Sequence, residues 1–159
     1  MPMNTFDKTN RNLSHAKMLV VEDNADYWLL IKKSLEQVLP EVKPVLAQTP
    51  EQALDLLNEW SLQEWELPKL ILQDLYLPTR EDGWQLLKKI KQLPSACSRI
   101  PVVILSSSSS RADIEEAYQF GSASYLVKPV DFPGWINFFG ELRTYWWETV
   151  SLPPVHFSL

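Results

Sequence analysis

Four short apolar runs each end in a group that can do chemistry, and their order along the chain leaves few folds open. Leu70-Ile71-Leu72-Gln73-Asp74-Leu75-Tyr76-Leu77-Pro78 carries one carboxylate toward a proline stop. Lys17-Met18-Leu19-Val20-Val21-Glu22-Asp23-Asn24 ends in paired acids. Ile100-Pro101-Val102-Val103-Ile104-Leu105-Ser106 ends in a hydroxyl, and Tyr125-Leu126-Val127-Lys128-Pro129 in an ammonium. Apolar runs of this length, bounded by breakers, read as strands buried on both faces. Helical spacing fills the gaps between them, as at Tyr27, Leu30, Ile31, Leu35 and Val38, and again at Leu86, Leu87, Ile90 and Leu93. Strand and helix alternate five times, which calls for an α/β fold: a doubly wound parallel sheet of five strands covered on both faces by right-handed crossovers. Ligands in such sheets bind outside the carboxyl ends of the strands. Glu22, Asp23, Asp74, Ser106 and Lys128 are therefore expected along one edge.

Local signals set the boundaries. The first helix is expected from 25 to 39, stopped by Pro40. Thr49-Pro50-Glu51-Gln52 reads as a helix start, with Thr49 as cap and Pro50 in the first turn. Residues 79–82 read as a loop, with Gly83 opening the next helix. Ser106 to Ser110 is a serine run, and Ser110-Arg111-Ala112-Asp113 has the form of a capping box. A final aromatic helix is expected over 133–149. Residues 1–15 read as a loose arm, 16–150 as one domain and 151–159 as a tail.

Composition narrows the function classes. A net charge of -5 on 159 residues argues against a nucleic-acid footprint, which would be basic. One cysteine, Cys97, cannot close an internal disulfide and fits a reducing compartment. No run approaches the ~18 apolar residues of a membrane span, and the first residues lack an apolar signal core. The chain is read as cytoplasmic, without membrane or nucleic-acid partners. Its 4 glycines exclude a glycine-rich phosphate loop.

Glu22, Asp23 and Asp74 together would repel one another without a counter-charge. Oxygen-only ligands with no His or Cys point to a hard cation such as Mg2+. An aspartate can also be a nucleophile that forms an aspartyl phosphate. Phosphoryl transfer then needs its oxygens neutralised, and Lys128 and Ser106 offer a cation and a hydroxyl donor.

With these pieces assembled, residues 17–149 resemble the receiver domain of two-component response regulators, the chemotaxis-regulator or flavodoxin-like fold. The resemblance rests on Val21-Glu22-Asp23-Asn24, Asp74-Leu75-Tyr76-Leu77-Pro78, Asp82-Gly83, Val102 to Ser107 and Tyr125 to Pro129. It implies that Asp74 is the phosphoacceptor and that Glu22, Asp23, Asp74 and the main-chain carbonyl of Tyr76 hold Mg2+. It further implies that Ser106 and Tyr125 form the switch, that Lys128 binds the phosphoryl group and that the Lys128–Pro129 bond is cis. The implied partner is a sensor histidine kinase. The chain departs from the family pattern in a loop after Asp74 that is one residue longer than usual, and in serines at 106 and 107. The aromatic ending and this loop are also similar to the small cyanobacterial regulators paired with phytochrome-type kinases. The short remainder after the last helix leaves no room for a DNA-binding output domain, so a single-domain regulator is expected.

Two other readings compete. A pseudo-receiver would bind partners without taking phosphate. A haloacid-dehalogenase-like phosphatase shares the nucleophilic Asp and Mg2+, but expects a second Asp where Tyr76 stands. Finally, a single apolar stripe on the last helix needs only Ile136, Phe139, Leu142 and Trp146. Trp135, Phe138, Tyr145 and Trp147 are then left over as a homodimer interface.

Overall fold

The computed structural model describes residues 16–145. The arm and tail expected at 1–15 and 151–159, and the expected helix end with Trp146 and Trp147, lie outside the described residues. Strands β1 (Lys17–Val21), β2 (Lys43–Ala47), β3 (Leu70–Asp74), β4 (Val102–Ser106) and β5 (Ser124–Val127) form one parallel sheet in the order β2-β1-β3-β4-β5. This is the flavodoxin-like doubly wound order, with its topological switch between β1 and β3. The register pairs Val21 with Gln73, Asp74 with Leu105 and Ser106 with Val127. One step further along β1 stands Glu22, level with Asp74 and therefore on the same side of the sheet. Lys128, two residues after Leu126, joins that side, because Leu126 pairs with Leu105.

Among the described residues six α-helices cover the sheet: α1 (Ala25–Val38), α2 (Pro50–Trp60), α3 (Arg80–Lys91), a single turn α4 (Ser95–Ser98), α5 (Arg111–Gln119) and α6 (Phe132–Leu142). One face buries Leu19, Val21, Ile71 and Ile104 against Leu57, Leu87, Ile90 and Ala117. The other buries Met18, Val20, Leu72 and Val103 against Ile31, Leu35, Trp135 and Phe139. Every residue of β3 and β4 is buried, which explains their unbroken apolar runs.

Several starts follow their local chemistry. The Asn24 side chain accepts from the amides of Asp26 and Tyr27 and caps α1. Thr49 caps α2 by accepting from the Gln52 amide, while the Gln52 side chain reaches back to the Gln48 amide at 2.8 Å. Gly121, at φ 98, takes the left-handed position after α5.

Other starts differ from the sequence reading. Residues 80–82 are helical rather than loop, because Thr79 and Asp82 form a reciprocal capping box that starts α3 at Arg80. Gly83 is inside that helix, where a Cβ would overlap the Leu75 carbonyl oxygen. The Gln73 amide also donates to the Gly83 carbonyl at 2.8 Å. These two contacts press α3 against the end of β3, beside Asp74. Conversely, Ser110 makes no side-chain cap on α5; its amide donates to Ser108 Oγ at 3.1 Å, and the Asp113 carboxylate pairs with Arg80 at 2.7 Å instead of reaching back to it. The cis peptide among the described residues is Leu77–Pro78, and Lys128–Pro129 is trans, contrary to the expectation.

On α6 the stripe facing the sheet is Trp135, Phe139 and Leu142. Trp135 is fully buried, stacks with Phe139 at 6.1 Å and meets Tyr27 edge-on at 6.4 Å. Its assignment to a dimer interface is therefore overturned: the largest ring of the helix fills the core. Ile136, expected in the stripe, instead turns to a surface groove with Val38, Gly140 and Thr144.

Candidate functional site

Asp74 ends β3 with its side chain nearly buried. One carboxylate oxygen, Oδ1, accepts from the Tyr76 amide at 3.3 Å, and the other, Oδ2, lies 3.3 Å from Lys128 Nζ. The same ammonium donates to Glu22 Oε2 at 3.1 Å. Glu22 Oε1 in turn accepts from the Asn24 amide at 3.2 Å, so the turn into α1 fixes this carboxylate. Lys128 is held from behind, its amide donating to the Ser106 carbonyl at 2.8 Å. Tyr27 supplies a further contact, its ring centroid lying 3.9 Å from Lys128 Nζ.

Two buried carboxyls share this one cation. Burial pushes the Glu22 carboxyl up, and the Asp74 charge adds to it, against the opposing pull of Lys128. The result is a pKa raised from 4.5 to about 7. Asp74 is raised as well, chiefly by burial, with Lys128 and the Tyr76 amide acting in the other direction. Asp23 is the exposed member of the group. Carboxylate oxygens of Glu22, Asp23 and Asp74 all lie within 4.8 Å of one another. An all-oxygen set with two raised pKa values and, among the described residues, Lys128 as its counter-cation suits a hard divalent ion.

Ser106 is completely buried at the end of β4, where its Oγ accepts from the Ser108 amide at 3.1 Å. Tyr125 lies inward, with its hydroxyl donating to the Ser108 carbonyl at 2.7 Å. The two residues thus meet on one loop residue, Ser108. Tyr76 points outward, 42% exposed, with only its amide turned back to Asp74. The structure therefore brings Glu22, Asp23, Asp74 and Lys128 together, with Ser106 and Tyr125 on the adjoining strands. The sequence reading missed Tyr27, which it assigned only to the apolar face of α1. The available signal was its place one helical turn beyond Asp23, at the same end of the sheet.

The chain is similar to known proteins in sequence and in fold. The family model described as the response regulator receiver domain matches residues 18–136. The chain is 33% identical over 129 residues to a probable methanogenesis regulatory protein, FilR2, of Methanothrix harundinacea, covering 81% of this chain and 82% of that protein. It is 38% identical over 86 residues to the response regulator Rcp1 of Synechocystis sp., covering 54% of this chain and 57% of Rcp1. The crystal structure of Rcp1 in its Mn(2+)-bound form matches with a TM-score of 0.73 at 30% identity, over 87% of this chain and 99% of that one. The phosphorylated cyanobacterial phytochrome response regulator RcpA matches with a TM-score of 0.77 at 30% identity, over 89% of this chain and 100% of that one.

Proposed function

This chain belongs to the response regulator receiver family, and on that premise we propose that Asp74 takes a phosphoryl group from a sensor histidine kinase. The observation that carries this reading is a buried strand-end aspartate whose Oδ2 contacts Lys128, beside two further carboxylates. An Asp74 oxygen attacks phosphorus as the bond from phosphorus to the donor histidine nitrogen breaks. An acyl phosphate forms, and the departing imidazole takes up a proton from solvent. Lys128 stabilises the phosphoryl oxygens, as does the Ser106 hydroxyl once it leaves the Ser108 amide. Glu22, Asp23, Asp74 and the Tyr76 carbonyl would hold Mg2+, which supplies positive charge to the phosphoryl oxygens when bound. Ser106 and Tyr125 then report the change through their shared neighbour Ser108.

The similarity to RcpA and Rcp1 supports a phytochrome-type kinase as the donor. Self-association is proposed through the surface of α6 that carries Phe138, with Tyr145 just beyond the end of that helix; Trp147 lies outside the described residues. The decisive experiment is intact-mass measurement after acetyl phosphate and Mg2+. One phosphoryl adduct on the wild type and none on Asp74→Asn is expected. An adduct on Asp74→Asn at wild-type level would refute the site, continuous donor hydrolysis would favour a phosphatase, and no uptake a pseudo-receiver.

A further inference from the structure

We propose that Tyr27 is a positioning residue for phosphoryl transfer: its ring holds the Lys128 ammonium against Asp74 and connects that ammonium to Trp135 in α6. The proposal rests on the reading of Asp74 as phosphoacceptor. An ammonium has three N–H groups and no acceptor. Two directions of Lys128 Nζ are taken by Glu22 Oε2 at 3.1 Å and Asp74 Oδ2 at 3.3 Å. The Tyr27 ring occupies another, with its centroid 3.9 Å away. The Lys128 side chain is only 5% exposed, so the ring face meets a largely desolvated cation, where this attraction is strongest.

The choice of an aromatic face has a consequence for the reaction. A third carboxylate would compete with the incoming phosphoryl oxygens for the ammonium. A ring face attracts the cation with little directionality, so Lys128 can turn an N–H toward a phosphoryl oxygen and stay in contact. The ring also screens one side of the ammonium from water.

Tyr27 is itself held in place. Its amide donates to Asn24 Oδ1 at 3.0 Å, one residue past the paired acids. Its ring meets the fully buried Trp135 edge-on at 6.4 Å. A movement of Lys128 toward a phosphoryl group is thereby felt by α6 through a single intervening ring. This route is separate from that through Ser106, Ser108 and Tyr125, because it runs on the opposite face of the sheet, through the core shared by α1 and α6.

The test compares Tyr27→Phe, which keeps the ring, with Tyr27→Leu and Tyr27→Met, which keep apolar bulk without it. Acetyl phosphate uptake with Mg2+ should be within about twofold of wild type in Tyr27→Phe and slowed ~10-fold in the other two, the scale of a desolvated ring–cation contact. In a Lys128→Ala background, Tyr27→Leu should cause no further slowing. Uptake at wild-type rate in both Tyr27→Leu and Tyr27→Met, or an equal slowing in the Lys128→Ala background, would overturn the proposal. A second readout needs no phosphate: the Lys128 ε-methylene protons should resonate upfield in wild type and Tyr27→Phe, from the ring current, and return downfield in Tyr27→Leu. An unshifted signal in wild type removes the contact itself. Absence of phosphate uptake by wild type, with the ring-current shift intact, would instead refute the phosphoacceptor reading.

Discussion

Arg80, the first residue of α3, reaches Asp113 in α5 across the mouth of the sheet, with Nε 2.7 Å from Oδ1. Its Nη2 lies 2.8 Å from Glu116 Oε2 in the same helix. The helix that follows the Asp74 loop is thus tied to the helix that follows the Ser106 loop. Asp113 is buried, so removing its partner strands a charge. The Arg80 side chain is 39% exposed, which lets water screen part of that cost. Arg80→Ala is expected to lower stability by about 1–3 kcal/mol in urea unfolding. Asp113→Asn in the Arg80→Ala background should recover part of the loss. Unchanged stability in Arg80→Ala would show that the bridge contributes nothing net.

Gly83 offers a sharper structural test. A methyl group at this position would overlap the carbonyl oxygen of Leu75, the residue after Asp74. Backbone cannot yield there as a flexible side chain would. Gly83→Ala should cost roughly 2 kcal/mol or more through displaced backbone, despite the better helix propensity of alanine. It should also shift the amide resonances of Asp74 to Tyr76 and slow phosphoryl uptake. A variant as stable as wild type, with those amides unmoved, would contradict the packing.

The raised Glu22 carboxyl gives a pH dependence with a definite sign. Its folded value of about 7 lies above the ordinary 4.5, mainly through burial and secondarily through the Asp74 charge. The folded state therefore holds this proton more tightly than the unfolded chain does. The stability it contributes is complete below about pH 4.5 and is lost as the pH rises through about 7. In chelator, the wild type should melt at a lower temperature at pH 8 than at pH 5.5, and Glu22→Gln should flatten that difference. Mg2+ should raise the wild-type melting temperature more at pH 8 than at pH 5.5, since its ligands must be deprotonated. Equal slopes for wild type and Glu22→Gln would move the titration to another group.

These residues also show what was legible in the sequence. The strands and the acids, hydroxyl and ammonium at their ends were readable, because a parallel strand buried on both faces announces itself as an unbroken apolar run. Asp74, Glu22 and Lys128 could be placed together because the chain alternates strand and helix, and that order brings the strand ends to one edge. The start of α3 was misread because Thr79 and Asp82 were taken as loop residues rather than the two halves of a cap. Asp113 was misread the other way. It stands where a capping residue would, but Arg80, far away in sequence, is the stronger partner. On α6, helical period alone left open which of several large rings faces the sheet. Tyr27 on α1 resolves it by offering Trp135 an aromatic edge, a contact that no local pattern encodes. The Tyr27 contact with Lys128 spans most of the chain and was invisible for the same reason.

Self-association is the remaining prediction, and the burial pattern of α6 sharpens it. Trp135, Phe139 and Leu142 are spent on the core, and Phe138 is half-buried against Phe139 at 4.8 Å. Ile136 and Gly140 line a groove with Val38, Thr144 and Tyr145 between the ends of α1 and α6. A twofold axis along this groove would place the same face of two copies together. Ile136 is therefore a better probe than Phe138, whose replacement would also disturb the core. Sedimentation equilibrium at micromolar concentration should show a dimer for the wild type. Ile136→Glu should weaken it ~30-fold or more, the effect of burying a charge at the centre of an interface. Its melting temperature should stay close to that of the wild type, since Ile136 is not part of the sheet-facing stripe. The same run with acetyl phosphate and Mg2+ asks whether phosphorylation shifts the dimer. A wild-type monomer under both conditions would remove the homodimer and leave this face of α6 without a role in self-association.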